Sequence, residues 1–240
     1  YQALVQHLGE VTNVNRAASL LGWDQQVNMP PGGAAARARQ LATLAHIGHE
    51  MFVDDRTARL LEDAEREIDG MPYESDEASL IRVVKEDYRE QTRLPAAFVA
   101  EFARVTSEAH EVWAEARAKS SFAHFQPALE RILELVRQRA SYVGYSEHPY
   151  DALLGEFERG MTTAQVKAIF DGHKPRLVAL IAAVSKVRDR VSDALVRQDF
   201  DIDKQRAFAM EVVQAFGYDM GRGHQAVAVH PFMSGYSSDA

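Results

Sequence analysis

The chain has 240 residues, 46% of them hydrophobic and 26% charged, enough apolar material for a sizeable core. Lys plus Arg number 27 against 35 Asp plus Glu, a formal charge of −8, and so acidic a surface repels phosphate backbones and argues against nucleic acid as a partner. The complete lack of cysteine excludes disulfides, a thiolate nucleophile and any cysteine-based zinc or iron–sulfur site, and fits a reducing, cytoplasmic setting.

Helical periodicity governs the chain from its start. Leu4, Leu8, Val11, Ala18 and Leu21 line one face of a helix expected over 2–21. A connector running to Gly33 follows, in which Trp23 is expected to be mostly buried and Pro30-Pro31-Gly32-Gly33 to make the loop shaped rather than loose. Further helices are expected over 34–53, 56–68, 75–93 and 95–118. The acids Asp54-Asp55 and Asp76-Glu77 stand at two of their starts, where negative charge is favoured, and Pro95 can open the last of them. That helix carries the stripe Phe98, Phe102, Val105, Ala109 and Val112, with Trp113 beside its end.

Leu129, Ile132, Leu133 and Val136 repeat the pattern in a helix expected over 126–144, followed by one over 149–158. The longest apolar face comes next, in a helix expected over 163–190. Val166, Ile169, Phe170 and His173 are followed there by Leu177, Leu180, Ile181 and Val184. Thr162 and Gln165 have capping-box spacing before it, Pro175 is expected to kink it, and His173 reads as a packed core histidine. A last helix over 203–216 can be closed by Gly217 in the left-handed conformation, and Pro72, Pro127 and Pro149 mark interruptions.

Only Gln225 to Val229, bounded by Gly223 and Pro231, reads as extended, and one short strand cannot stand alone. No linker, repeat or low-complexity tract divides the sequence. The expected class is therefore all-α, a single helical unit over 1–240 with at most a short strand near 225–229. No apolar stretch approaches the roughly 18 residues of a membrane span, and Tyr1 to Glu10 lack a basic region followed by an apolar one, so no membrane partner is expected. A first residue other than methionine, and a last stretch, Ser237 to Ala240, without a helix end or closing strand, suit a piece of something longer.

The common catalytic signatures are missing. There is no Gly-x-Ser-x-Gly elbow, and Gly221-x-Gly223 is too short for a dinucleotide or phosphate loop. A helical His-Glu-x-x-His would put two imidazoles on one face with a carboxylate ready to activate a metal-bound water. His49-Glu50 is followed by Val53 in place of the second histidine, His110-Glu111 by Ala114, and His46 to Glu50 has the wrong order for the inverted motif. His46 and His49 read as an ordinary surface pair, and no metal ligands or catalytic residues are expected in this chain. Two segments have more shape than a loop needs: Leu21 to Gly33, and Val229-His230-Pro231-Phe232-Met233-Ser234-Gly235, where proline and an aromatic hold a histidine.

At these residues the chain resembles a known family, the zinc metallocarboxypeptidases of the thermostable carboxypeptidase Taq type, peptidase family M32. The likeness includes Gly22-Trp23-Asp24, Met29-Pro30, Gly32-Gly33 and Arg37-x-x-Gln40-Leu41. It continues through Tyr150-Asp151-Ala152-Leu153-Leu154, Glu156-Phe157-Glu158, Gly160-Met161-Thr162 and Phe216-Gly217-Tyr218-Asp219 to His230-Pro231-Phe232, in family order over nearly the whole chain. One departure is visible. The family usually has Gly-Arg-x-Asp before His-Pro-Phe, and here Gly223-His224-Gln225-Ala226 stands there, so an Arg–Asp pair is missing unless Arg222 substitutes.

The resemblance implies the N-terminal half of a saddle-like, cleft-containing helical metallopeptidase that removes single amino acids from peptides with a free C-terminus. It also implies a homodimer, and a zinc ion bound by a His-Glu-x-x-His helix and a later glutamate that follow His-Pro-Phe in the family. On that reading this chain supplies the cleft wall, is inactive alone, and contributes His230 and Phe232 as substrate-binding residues. The rival class is a non-enzymatic helical module that acts by binding or dimerisation.

Overall fold

The first helix, α1, spans Gln2–Val27 and runs past its expected end, through Gly22 and Trp23. It closes where the amides of Asn28 and Met29 both donate to the Asp24 carbonyl at 2.9 Å. Trp23 therefore lies in the helix and is half-buried, rather than mostly buried in a connector, and the true connection is only the short stretch to a 3-10 turn at Pro31–Gly33. The computed structural model describes residues 1–236.

Helices α2 (Ala34–Val53), α3 (Asp55–Glu67), α4 (Asp76–Gln91) and α5 (Ala96–Ala118) follow closely where periodicity places them. Their starts have local causes. The Asp54 carboxylate accepts from the Arg56 amide at 2.6 Å, the Ser75 hydroxyl accepts from the Ala78 amide at 3.2 Å, and Pro95 precedes α5. Helix α6 covers Phe122–Val143 and contains Pro127, which the sequence reading takes for an interruption. The proline sits so near the helix start that only an early rung of the ladder is lost. A single turn, α7 (Asp151–Leu154), stands where a longer helix over 149–158 is expected.

Helix α8 (Thr163–Ser185) begins with the expected capping box and continues through Pro175. In that box the Gln165 amide donates to Thr162 Oγ1 at 3.3 Å, and the Thr162 amide donates to Gln165 Oε1 at 2.9 Å. Helix α9 (Ile202–Ala215) is closed by Gly217 at φ +86°, a conformation that a side chain would strain, and the Tyr218 amide returns to the Val213 carbonyl at 3.0 Å. The sequence allows at most a short strand near 225–229, and the described residues contain none, in keeping with the all-α class. An isolated strand needs a ladder partner, and here the carbonyls of Val229 and Gly235 are taken by the arginine side chains of Arg117 and Arg16. No helix among the described residues is long and apolar enough to cross a membrane.

The described residues group into two compact units, Tyr1–Ala152 with the segment that starts at Ala226, and Leu153–Gln225. In the first, α2 packs chiefly against α5 and α1, and α5 against α6. One apolar cluster joins Leu94, Phe98, Val105, Leu135, Ala140 and Val143; another joins Leu4, Leu61, Ala64, Ile81 and Val84. Leu135 in α6 is fully buried, whereas Leu133, expected on the core stripe, is 43% exposed. Two buried histidines bond through Nε2 to groups distant in the chain, while His7 Nδ1 is buried without a partner among the described residues. His7 Nε2 meets Thr57 Oγ1 at 2.8 Å, and His49 Nε2 donates to the Leu94 carbonyl at 2.9 Å.

In the second unit, α8 and α9 carry no buried residue. Ile169, Phe170, Leu177, Leu180, Ile181 and Val184 are 43% to 64% exposed, and His173 is exposed rather than packed in a core. The period that marks this face as apolar is present, but burial also needs a second surface, and none among the described residues covers it.

Candidate functional site

The residues that carry the likeness upstream fold into one clasp. Arg37, near the start of α2, donates through Nη2 to Asp24 Oδ2 at 2.6 Å, through Nη1 to the Leu21 carbonyl, and through Nε to Gln40 Oε1 at 3.2 Å. Asn28 Nδ2 reaches the other Asp24 oxygen at 3.3 Å. These charge-assisted bonds lock the α1–α2 turn, and Arg37 foremost, with Asn28, holds the Asp24 carboxyl below its usual range. The Asp24–Arg37 pairing is not visible to periodicity, because its partners lie on different helices. The spacing Arg37-x-x-Gln40 hints only that both side chains share a face.

His230 and Phe232 lie on the segment from Ala226 onward, which belongs to the first unit. His230 is exposed, and Phe232 is 39% exposed, so both are accessible to a ligand. The His230 imidazole stands edge-on to the Trp113 indole, with ring centroids 6.2 Å apart and planes at 89°. One turn further along α5, Arg117 places its guanidinium carbon 5.6 Å from the centroid of the same indole and donates to the Val229 carbonyl. On the other side, His110 lies 5.6 Å from the indole, and Arg16 of α1 donates to the Gly235 carbonyl. An exposed imidazole with a half-exposed phenyl ring two positions on can offer one hydrogen-bonding group beside an apolar surface.

A largely buried polar net links α1 to α5. Gln25 Oε1 accepts from Ser107 Oγ at 2.9 Å, while Gln25 Nε2 donates to the Ser107 carbonyl and to Glu111 Oε1, both at 3.1 Å. Glu111 is thus engaged from α1, and its nearer oxygen is 3.6 Å from His110 Nδ1, beyond a good hydrogen bond. Sequence reasoning missed Trp113 and Arg117 as neighbours of His230. The available signal was the spacing His110-x-x-Trp113-x-x-x-Arg117, which aligns three such groups along one helix face.

The second unit holds two other motif pieces. Tyr218 lays its ring on Gly223 so closely that a Cβ there would stand 1.9 Å from the phenol oxygen, so this approach requires glycine. Arg222, considered above as a substitute for the missing arginine, pairs with Asp219 at 3.4 Å.

No three His, Cys, Asp or Glu side chains among the described residues converge to hold a metal ion. The pair expected at the surface is split. His49 is buried with its Nε2 on the Leu94 carbonyl, and only His46 stays outside, 3.2 Å from Glu50. The donor set present here therefore does not fit a zinc ion.

The family model described as Carboxypeptidase Taq (M32) metallopeptidase matches residues 3–240. The chain is 29% identical over 225 residues to Carboxypeptidase 1 of Bacillus subtilis, covering 94% of this chain and 44% of that protein. It is 31% identical over 221 residues to Thermostable carboxypeptidase 1 of Pyrococcus furiosus, covering 91% and 44%. The BsuCP crystal structure superposes with a TM-score of 0.90 at 28% identity, over 98% of this chain and 47% of that one. The chain thus spans a little under half the length of these relatives.

Proposed function

The chain belongs to the Taq-type carboxypeptidase (M32) family of metallopeptidases, and from that premise we propose that it forms the N-terminal, cleft-wall part of a zinc-dependent carboxypeptidase. That enzyme releases amino acids one at a time from peptides with a free C-terminus, acts as a homodimer, and works in the cytoplasm. His230 and Phe232 are its peptide-contacting residues in this chain. The zinc ligands and the general base lie outside it, so the 240 residues alone bind peptide weakly and hydrolyse none.

One observation carries the reading: the likeness to a solved family member extends over 98% of this chain rather than over an isolated motif. Two others support it. The His-Pro-Phe segment presents an accessible imidazole and ring, and the apolar face of α8 is uncovered, as expected of a part whose counterpart is further polypeptide. Within this chain the chemistry is that of binding: His230 can hydrogen-bond a peptide group, and Phe232 can cover an apolar side chain.

The test compares the longer polypeptide encoded by the same gene with the 240-residue chain, assaying amino acids released from one peptide carrying a free or an amidated C-terminus. Zinc-dependent release from the free form alone, by the longer polypeptide alone, is the expected result. A gene that stops at Ala240, or equal cleavage of the amidated peptide, overturns the proposal.

A further inference from the structure

The segment that bears His230 has no secondary structure to hold it. Residues 225–236 make no hydrogen bond between main-chain groups among the described residues, so side chains from the helices must fix their place. Three contacts do so: Arg117 on the Val229 carbonyl, Trp113 on the His230 ring, and Arg16 on the Gly235 carbonyl. The first and last bracket the His-Pro-Phe turn. Pro231 further confines the backbone of His230 to extended values, leaving its two side-chain torsions as the main freedom.

Trp113 is suited to removing that freedom. It lies on α5 between Ala109 and Ala116, both buried, and is itself half-buried, so its backbone is anchored in the core. His110 and Arg117 flank it on the same helix face at i−3 and i+4, which limits how far the indole can swing. An imidazole meeting an indole edge-on at 6.2 Å is in a favourable aromatic geometry.

We propose that Trp113 and Arg117 are positioning residues for His230: Arg117 fixes the carbonyl that precedes it, Trp113 fixes its ring, and the imidazole is held in one orientation before a peptide arrives. The inference rests on the reading that His230 contacts the peptide. It goes beyond that reading by assigning pre-organisation of the contact to a helix that need not touch substrate. Pre-organisation matters because ordering a side chain on binding opposes affinity, and a small misplacement of a binding group weakens productive binding.

The test has two parts. In the isotopically labelled chain, the His230 ring resonance is assigned by its loss in His230→Gln, then followed in Trp113→Leu, Arg117→Met and Arg117→Lys. Trp113→Leu is expected to abolish the indole ring-current displacement and Arg117→Met to shift or broaden the resonance, while Arg117→Lys, which keeps a donor, restores it in part. Arg117 is exposed, so its variants fold even if Trp113→Leu does not. In the longer, zinc-loaded enzyme, Arg117→Met is expected to raise KM roughly tenfold, with kcat changed by about twofold at most. A His230 resonance that stays in place in both Trp113→Leu and Arg117→Met overturns the positioning role. If the resonance moves but His230→Gln hydrolyses peptide normally, the positioning geometry stands and the assignment of His230 to peptide contact falls.

Discussion

Arg37 on α2 grips Asp24 on α1 at 2.6 Å while the same guanidinium holds the carbonyl of Leu21 one turn earlier, so a single side chain ties the last turns of α1 to the start of α2. Arg37 first, then Asn28, lowers the Asp24 pKa. With the folded-state value depressed, the unfolded chain takes up the proton first. The contribution is complete above the ordinary value of about 3.9 and fades as pH falls through the lower folded value. The difference in urea midpoint between the parent chain and Asp24→Asn is therefore expected to hold from neutral pH to about pH 4 and to shrink below it. A difference that persists unchanged in acid would mean that the carboxylate charge is not what Arg37 reads.

Gln25 is buried with both ends of its amide engaged by Ser107 and Glu111. Removing the hydroxyl in Ser107→Ala strands the Gln25 oxygen in the interior, and the expected loss is about 1–3 kcal/mol. Gln25→Ala should couple strongly to that change, so the double variant loses less than the two single losses added together. Simple additivity in chemical denaturation would show that the two side chains do not act as a unit.

Within α6 the burial of Leu135 and the exposure of Leu133 predict opposite outcomes for the same substitution. Leu135→Ala is expected to cost about 2–5 kcal/mol, and Leu133→Ala less than about 1 kcal/mol. Equal losses at the two positions would contradict the observed rotation of the helix.

How far the sequence discloses this fold depends on the range of the interaction. The caps at Asp54, Ser75 and Thr162 and the stop at Gly217 act within a turn of chain, and all but the Ser75 cap were legible from local spacing. The end of α1 is not legible locally, because Arg37 reaches back from the next helix to Asp24 and to the Leu21 carbonyl. The Leu133 error is one of phase: residues at i+4 and i+6 are both apolar, and only the position of α5 decides which faces inward. The strand signal at 225–229 goes unused because β-propensity describes a side chain's fit to a sheet, and no sheet is present among the described residues. At the candidate site, His230 and Phe232 stood out by motif, but Trp113 and Arg117 lie more than a hundred positions away and no short pattern links them.

Among the described residues no ligand triad exists, and His49 is already bonded to the Leu94 carbonyl. The 240-residue chain is therefore expected to emerge from dialysis with substoichiometric zinc and to unfold at the same temperature with and without chelator. Tightly bound zinc that disappears on substituting His46 would contradict this.

The uncovered face of α8 makes the most consequential prediction. Seven large apolar side chains, from Ile169 to Val184, stand 43% to 64% exposed along one helix. Burying such a side chain fully is worth roughly 1.5–3 kcal/mol, so the face is a strong drive to associate and a liability when left in water. The isolated chain is expected to bind a hydrophobic dye and to self-associate as concentration rises. Phe170→Lys with Ile181→Lys should suppress both without lowering its melting temperature, because neither residue is buried here. In the longer polypeptide the same pair should be strongly destabilising, since there each lysine would face an apolar surface instead of water. If the double variant is as stable as the parent in the longer polypeptide, the face is solvent-exposed in the intact protein too, and the view of α8 as one side of an internal interface fails.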